Sequence, residues 1–126
     1  MADPNIEQLA ERVNADAWLV HRGRYLSVRF LLTIGIDQYV IEIHKGRIET
    51  IESGPFVMAR WTFAMKGERE VWEKFSELHP VPRFHDLMAL IRFKTLLLEG
   101  DQHPFMANLL YFKDVFAYLR PLEIEL

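Results

Sequence analysis

The stretch IRFKTLLLEGDQHPFMANLLYFKDVFAYLR, residues 91–120, decides how the rest of the chain has to be arranged. Its second half, residues 104–119, begins with a proline and is predicted to be a helix. The only charged or amide side chains in that helix are Asn108, Lys113 and Asp114, and at roughly 3.6 residues per turn they do not gather on one face. A helix that is apolar on nearly every side has to be buried on more than one side.

In a two-layer domain a sheet covers one side of such a helix. The other side must then meet a neighbouring helix, a second subunit, a membrane surface or an apolar ligand. Met88 and Met106 favour an apolar cavity, because methionine adapts to variable contents, but a dimer partner or a neighbouring helix fits the pattern equally well. Insertion into a membrane is disfavoured, because the helix lacks the polar face rich in Lys and Arg that is typical of interfacial helices.

Upstream of this helix the apolar residues recur with a period of two, which is typical of strands. Lys45-Gly46 is a two-residue hairpin signal between two of these strands. Because parallel neighbours need long crossovers and the links here look short, the first four strands are predicted to form an antiparallel meander. The five predicted strands cover residues 26–34, 39–44, 47–52, 57–66 and 92–98.

Helices are predicted before and after the first four strands, where apolar residues recur at helical spacing. The order of elements predicts a single α+β domain over residues 1–120, followed by a tail at residues 121–126. The predicted helices cover residues 4–14, 15–21, 68–78, 83–90 and 104–119.

Composition and charge narrow the class of protein. The 126-residue chain has no cysteine, which excludes disulfides and cysteine-based zinc sites, and its net charge of −3 argues against nucleic acid as a partner. Nine Phe, three Trp, four Tyr and five Met suit either an aromatic-rich core or a bulky apolar ligand. No signal-peptide pattern and no uncharged run of ~18 residues is present, so a soluble, cytoplasmic protein is expected.

The five histidines are candidate metal ligands or acid–base groups. His79, His85 and Asp86 lie close together in sequence, but their spacing is not typical of metal ligands or of an acid–base pair. We therefore predict no metal, no cofactor and no catalytic residue. His103 directly precedes a proline and is predicted to cap the last helix.

A small basic group lies before and on the first strand, at Arg22, Arg24 and Arg29. It is either a solvated edge or a cationic mouth that meets the carboxylate or phosphate head group of a ligand. The sequence leaves both interpretations open.

The order of these elements resembles the sterol carrier protein type-two family over nearly the whole chain, as a distant member of bacterial type. No single segment is specific, because the matching patterns are structural rather than catalytic, and their order and spacing carry the resemblance. The matching segments are Tyr39–Ile43 with Lys45-Gly46, Arg60–Phe63, Glu70-Val71-Trp72, and Phe93–Asp101.

The resemblance implies a five-stranded, mostly antiparallel sheet, helices covering one face, and an apolar tunnel between the sheet and the C-terminal helices. Members of that family bind fatty acids, acyl-CoA esters, sterols or phospholipids, and some are accessory domains beside an enzyme. Two departures place larger side chains near such a tunnel, at Ala89-Leu90-Ile91 and at residues 78–82, where the family usually has glycine-containing segments. Residues 123–126 also lack the peroxisomal address of some relatives.

We therefore predict non-catalytic binding or carriage of an apolar lipid in an internal cavity, without a cofactor. Alternatives are a pocketless interaction or dimerisation module, and an accessory domain that presents an apolar substrate to an enzyme. A small cone-fold dehydratase or isomerase is less favoured, because such folds place helices first and the sheet last. The partners expected are a lipid and no nucleic acid, with a homodimer and transient contact with a membrane surface left open. The predicted ligand-binding residues are Phe30, Trp61, Phe63, Leu87, Met88, Ile91, Phe105, Met106, Leu109, Leu110 and Phe112.

Overall fold

The computed structural model describes residues 6–56, 60–77, 86–92 and 94–119. Within these ranges the chain forms helices and strands in the order that was predicted, with one additional helix at the C-terminal end. The elements are α1 (Ile6–Ala15), α2 (Ala17–Arg22), β1 (Val28–Ile34), β2 (Asp37–His44), β3 (Arg47–Ser53), β4 (Phe63–Gly67), α3 (Arg69–Phe75), α4 (Leu87–Arg92), β5 (Leu97–Gly100), α5 (His103–Ala107) and α6 (Leu109–Ala117).

The five strands form one sheet in the order β3-β2-β1-β4-β5. The pairs β1–β2, β2–β3 and β4–β5 are antiparallel, and β1–β4 is parallel. The predicted α+β class with a mostly antiparallel five-stranded sheet is therefore confirmed. The described helices are too short or too polar to cross a bilayer.

The predicted four-strand antiparallel meander is wrong at its fourth strand. β4 pairs with β1 and not with β3, and Phe30 lies opposite Phe63 in a parallel register. The predicted strand at residues 57–66 starts too early, since β4 begins at Phe63, and residues 57–59 lie outside the described ranges. The chain between Ser53 and Phe63 therefore connects β3, at one edge of the sheet, to β4 on the far side of β1.

The hairpin predicted at Lys45-Gly46 is confirmed. Both residues have positive φ, 51° and 83°, which is the conformation of a type I′ turn and matches the twist of the flanking strands. A register shift between Glu42 and Ile43 follows, so that Ile43 pairs with Ile48 while Ile41 pairs with Ile51. This bulge keeps the isoleucines of β3 on the same side of the sheet as those of β2.

The two faces of the sheet are covered differently. Alternate residues of β1, such as Phe30 and Leu32, join the main core with the helices, while Leu31 points to the opposite face. On that face Leu31, Val40 and Ala64 form a small cluster under Phe56 and Trp61, which belong to the link between β3 and β4. We call the side of the sheet that carries Phe30 and Leu32 the helix face, and the side that carries Leu31 the outer face.

The region before β5 differs from the prediction in its boundaries. The helix predicted at residues 83–90 is described only as Leu87–Arg92, because residues 83–85 lie outside the described ranges. The predicted strand at residues 92–98 is shorter, because Lys94 adopts a left-handed conformation (φ 58°) that ends α4. The amides of Thr95 and Leu96 donate to the carbonyl of Leu90, which completes the helix end in the manner of a C-cap.

The single helix predicted at residues 104–119 is two helices, α5 and α6, separated at Asn108. The Asn108 backbone leaves the helical region (φ −123°, ψ 36°), and its side-chain Nδ2 donates to the Pro104 carbonyl at 2.9 Å. An asparagine side chain that bonds the local backbone competes with the helical ladder in this way. The cap predicted at His103 is also wrong, because Gln102 occupies the N-cap and the His103 amide donates to Asp101 Oδ1.

We expect Lys45→Asn to raise the free energy of unfolding by about 0.5–1 kcal/mol, because asparagine adopts the left-handed conformation of a type I′ turn more easily than lysine. Chemical denaturation followed by circular dichroism measures this change. Lys45→Val is the control and should destabilise the protein, since a β-branched residue is strained at positive φ. Equal stability of the two variants would contradict the turn assignment.

Candidate functional site

Four of the predicted ligand-binding residues lie together in an aromatic cluster on the helix face. Phe30 and Phe63 stack with their ring centroids 5.0 Å apart, and Phe112 meets both rings edge-on at 5.8 and 5.6 Å. Phe105 approaches Phe112 at 5.2 Å. All four side chains are completely buried, so the cluster fills the space between β1, β4 and the last two helices.

The aromatic cluster continues through Phe116 and Trp72, which were not among the predicted ligand-binding residues. Phe116 meets Phe30 at 6.1 Å and Trp72 at 5.7 Å, and the Trp72 indole donates to the Thr33 carbonyl at 3.0 Å. The signal for Phe116 was present in the sequence, because it lies one turn after Phe112 on the same helical stripe.

The remaining predicted ligand-binding residues lie outside the aromatic cluster. Leu87 is buried, and Met88, Ile91 and Leu109 are half-buried against the main core. Trp61 lies on the outer face, away from the aromatic cluster. Its alternation with Phe63 suggested one shared face, but this rule applies within a strand and β4 begins only at Phe63.

Met106 and Leu110 are exposed, at 42% and 65% of their surface. They line a groove of about 460 Å³ at the break between α5 and α6, where Leu109, also among the predicted residues, forms part of the wall. We call this the break groove. Its complete lining is Arg22, Met106, Ala107, Asn108, Leu109, Leu110 and Tyr111.

The three arginines of the basic group point to different places. Arg22 lines the break groove and pairs with Asp114 at 2.5 Å. Arg29 pairs with Glu42 across β1 and β2, and the Arg24 guanidinium lies 4.7 Å from the centre of the Tyr25 ring. Only Arg22 is therefore placed to meet a ligand head group at the break groove.

The wall of the break groove is anchored by Tyr111. Its hydroxyl donates to the carbonyl of Gly46 at 2.7 Å, and burial raises the pKa of Tyr111 well above its ordinary value. The ring packs so closely on Gly23 that a Cβ there would lie 2.4 Å from Tyr111 Cε1. Three parts of the fold (the end of α2, the β2–β3 turn and α6) therefore meet at this one side chain.

A second tyrosine ties α6 to the start of α2. The Tyr118 hydroxyl donates to Asp16 Oδ2 at 2.6 Å, which lowers the pKa of Asp16 and raises the pKa of Tyr118. Asp16 also accepts from the Leu19 amide as the N-cap of α2. The contact with Tyr118 holds the start of α2 against the end of α6, and the contact with Leu19 caps α2.

A cluster of metal ligands is not assembled in the part of the chain that the structure describes. No three His, Cys, Asp or Glu side chains within those ranges are grouped so that they could hold a metal ion. His79 and His85 lie outside the described residues.

Solved structures share this arrangement. The crystal structure of sterol carrier protein 2 superimposes with a TM-score of 0.75, covering 96% of this chain and 97% of that chain at 10% sequence identity. The chain has the sterol carrier protein fold. Palmitated SCP2L2 from Aedes aegypti has a TM-score of 0.60 over 88% of this chain and 89% of that chain, at 18% identity. No protein-family model and no curated protein matches the sequence.

The same fold also occurs inside a larger enzyme. The inverting sec-alkylsulfatase Pisa1 from Pseudomonas sp. matches 98% of this chain with 17% of its own chain, at a TM-score of 0.61 and 14% identity. The resemblance to sterol carrier proteins that the sequence indicated is thus confirmed for the fold. The low identities mean that the sterol carrier fold can be recognised here while its site residues are not transferred.

We expect Tyr111→Phe to lower the free energy of unfolding by about 1–2 kcal/mol, because the buried carbonyl of Gly46 loses its hydroxyl partner. Urea denaturation measures the change. Tyr25→Phe is the matched control, since Tyr25 is 89% exposed and should lose almost nothing. If both variants are as stable as the parent protein, Tyr111 does not anchor α6.

Proposed function

We propose that this protein binds the acyl chain of a lipid without catalysis, and that the chain enters at the break groove. The observation that carries the proposal is the exposure of two large apolar side chains, Met106 and Leu110, on the rim of the break groove. Exposed apolar side chains around a concave surface are a common mark of a ligand or partner site.

The dimensions of the break groove suit a single apolar ligand. Its volume of about 460 Å³ lies within the range of roughly 300–1,000 Å³ that is usual for small-molecule sites. Leu109 lines the groove and also packs against the main core, which contains the aromatic cluster. Because Leu109 is only half-buried, movement of its side chain would extend the groove inward.

Arg22 supplies a charge at the rim. Its guanidinium has five N–H donors, so it can keep its contact with Asp114 and still bind the carboxylate or phosphate of a lipid. A cation at the rim and an apolar lining together suit an amphipathic anion such as a fatty acid. This combination supports the cationic-mouth interpretation of the basic group for Arg22 alone.

The palmitated SCP2L2 from Aedes aegypti supports an acyl chain as the ligand, because that protein has the same fold and carries palmitate. Sterol is less well supported in this chain, since the space between the sheet and α5–α6 is filled by the phenylalanines of the aromatic cluster. An acyl chain is narrow and flexible and needs a smaller opening than a rigid ring system.

We expect Met106→Trp to abolish binding of a fluorescent fatty acid while the circular dichroism spectrum stays unchanged, because the larger side chain fills the break groove. Ile36→Trp is the matched control. Ile36 is 96% exposed in the β1–β2 turn and does not line the groove, so that variant should bind normally. Full affinity in Met106→Trp would place the lipid elsewhere.

We expect Arg22→Gln to weaken palmitate binding about two- to five-fold and to leave hexadecanol binding unchanged, because an exposed ion pair contributes up to ~1 kcal/mol. Calorimetric titration at low and high salt measures both ligands, and the difference between them should shrink as salt screens the charge. Equal loss for both ligands would mean that Arg22 acts through the shape of the groove.

The same apolar rim could instead be buried in a dimer. Native mass spectrometry of the freshly purified protein distinguishes lipid binding from dimerisation, because a bound lipid adds a mass that disappears on denaturation. A ligand-free dimer that ignores fatty acids would replace the carrier proposal with an interaction module.

A further inference from the structure

A second pocket lies away from the break groove, at the ends of three strands. It has a volume of about 610 Å³ and lies where β1 and β4 end, α3 begins and β5 starts. It shares no lining residue with the break groove. We call it the strand-end pocket, and its lining is Thr33, Gly35, Lys66, Gly67, Glu68, Val71, Lys94, Thr95 and Leu97.

Two lysines and two threonines are among the residues that line the strand-end pocket. Lys66 pairs with Glu99 at 2.8 Å, which compensates its charge, whereas Lys94 forms no ion pair with any residue of the described ranges. The Thr33 hydroxyl is buried and has no hydrogen-bond partner among the described residues. A buried polar atom without a partner is uncommon in folded proteins, so this hydroxyl is an uncompensated polar group in the wall of the pocket.

The backbone around these groups is fixed. The Lys94 amide donates a hydrogen bond to the Ile91 carbonyl, which holds Lys94 in its left-handed conformation. The Thr95 amide donates to the Leu90 carbonyl. Thr33 is held by the Trp72 indole, which donates to its carbonyl at 3.0 Å. The backbone that carries these residues is therefore fixed, and a ligand would have to order only the lysine side chains.

The remaining wall is apolar and small. Val71 and Leu97 face the pocket from α3 and β5, and Leu97 is exposed over about half of its surface (49%). Glu68 is the acidic residue of the lining, and it is exposed. An anionic group at the lysines would therefore leave room for a short apolar substituent against Val71 and Leu97.

We infer that the strand-end pocket binds a phosphate monoester that carries a short apolar substituent. The Lys94 ammonium, the N–H donors of Lys66 that Glu99 does not occupy and the Thr95 hydroxyl offer more donors than the two oxygens of a carboxylate can use. They suit the three terminal oxygens of a phosphate. Lysine binds phosphate as a point charge and threonine adds a directional donor. The inference is independent of the proposed acyl-chain binding, because the two sites have no residue in common.

The test uses hexyl phosphate as the probe, with inorganic phosphate, hexanoate and hexanol for comparison. Two-dimensional NMR of the full chain follows the backbone amides during each titration. We expect hexyl phosphate to shift the amides of Gly35, Gly67 and Thr95 in a saturable way and to bind at least five-fold more tightly than the other three compounds. Binding should weaken with added salt.

Lys94→Gly removes the ammonium group and keeps the left-handed backbone, so the variant should fold. It should bind hexyl phosphate about ten-fold more weakly. Lys45→Gly is the matched control, because Lys45 is also an exposed lysine at positive φ but lies at the β2–β3 turn. That variant should bind like the parent protein, and both variants should bind fatty acid normally.

Three results would overturn the inference. The first is the absence of saturable shifts at these amides with hexyl phosphate. The second is an equal response to hexanol, which would make the pocket a purely apolar surface. The third is an equal loss of affinity in Lys94→Gly and Lys45→Gly, which would show a general effect of net charge.

Discussion

The packing of Tyr111 against Gly23 and Gly46 is the contact on which the position of the last helix depends. A Cβ on Gly46 would lie 2.5 Å from the Val20 carbonyl oxygen, so the β2–β3 turn can approach α2 this closely only through a glycine. The Tyr111 hydroxyl then finds the Gly46 carbonyl, which the turn has placed in the interior. Because α6 is anchored here, its neighbouring residues Leu109 and Leu110 are held at the edge of the break groove.

The apolar pattern of residues 104–119 has three physical explanations rather than one. The stripe with Phe112 faces the sheet and completes the aromatic cluster. The stripe with Tyr111 and Val115 is buried as well, and Tyr111 meets the β2–β3 turn there. The stripe with Met106 and Leu110 remains exposed and lines the break groove, where Asn108 separates α5 from α6.

Much of the fold could be predicted from local patterns, and the parts that could not depend on distant contacts. Period-two and helical spacing located β1, β2 and β3 and the buried face of α6, because burial on one side repeats along the chain. The parallel pairing of β4 could not be read in this way, since alternation shows that a strand exists but not which neighbour it has. Trp61 was predicted to share a face with Phe63 because alternation also does not show where a strand begins, and β4 begins only at Phe63.

The candidate site was predictable in its chemistry but not in its geometry. Helical spacing identified Met106, Leu109 and Leu110, yet only the break at Asn108 decides that they line a groove instead of a closed core. Strand β1 separates the two proposed sites physically: Phe30 points into the helix face, and Thr33 borders the strand-end pocket with Lys66. The residues of α5 and α6 at the break groove do not line the strand-end pocket. A ligand proposed for one site would therefore leave the lining of the other in place.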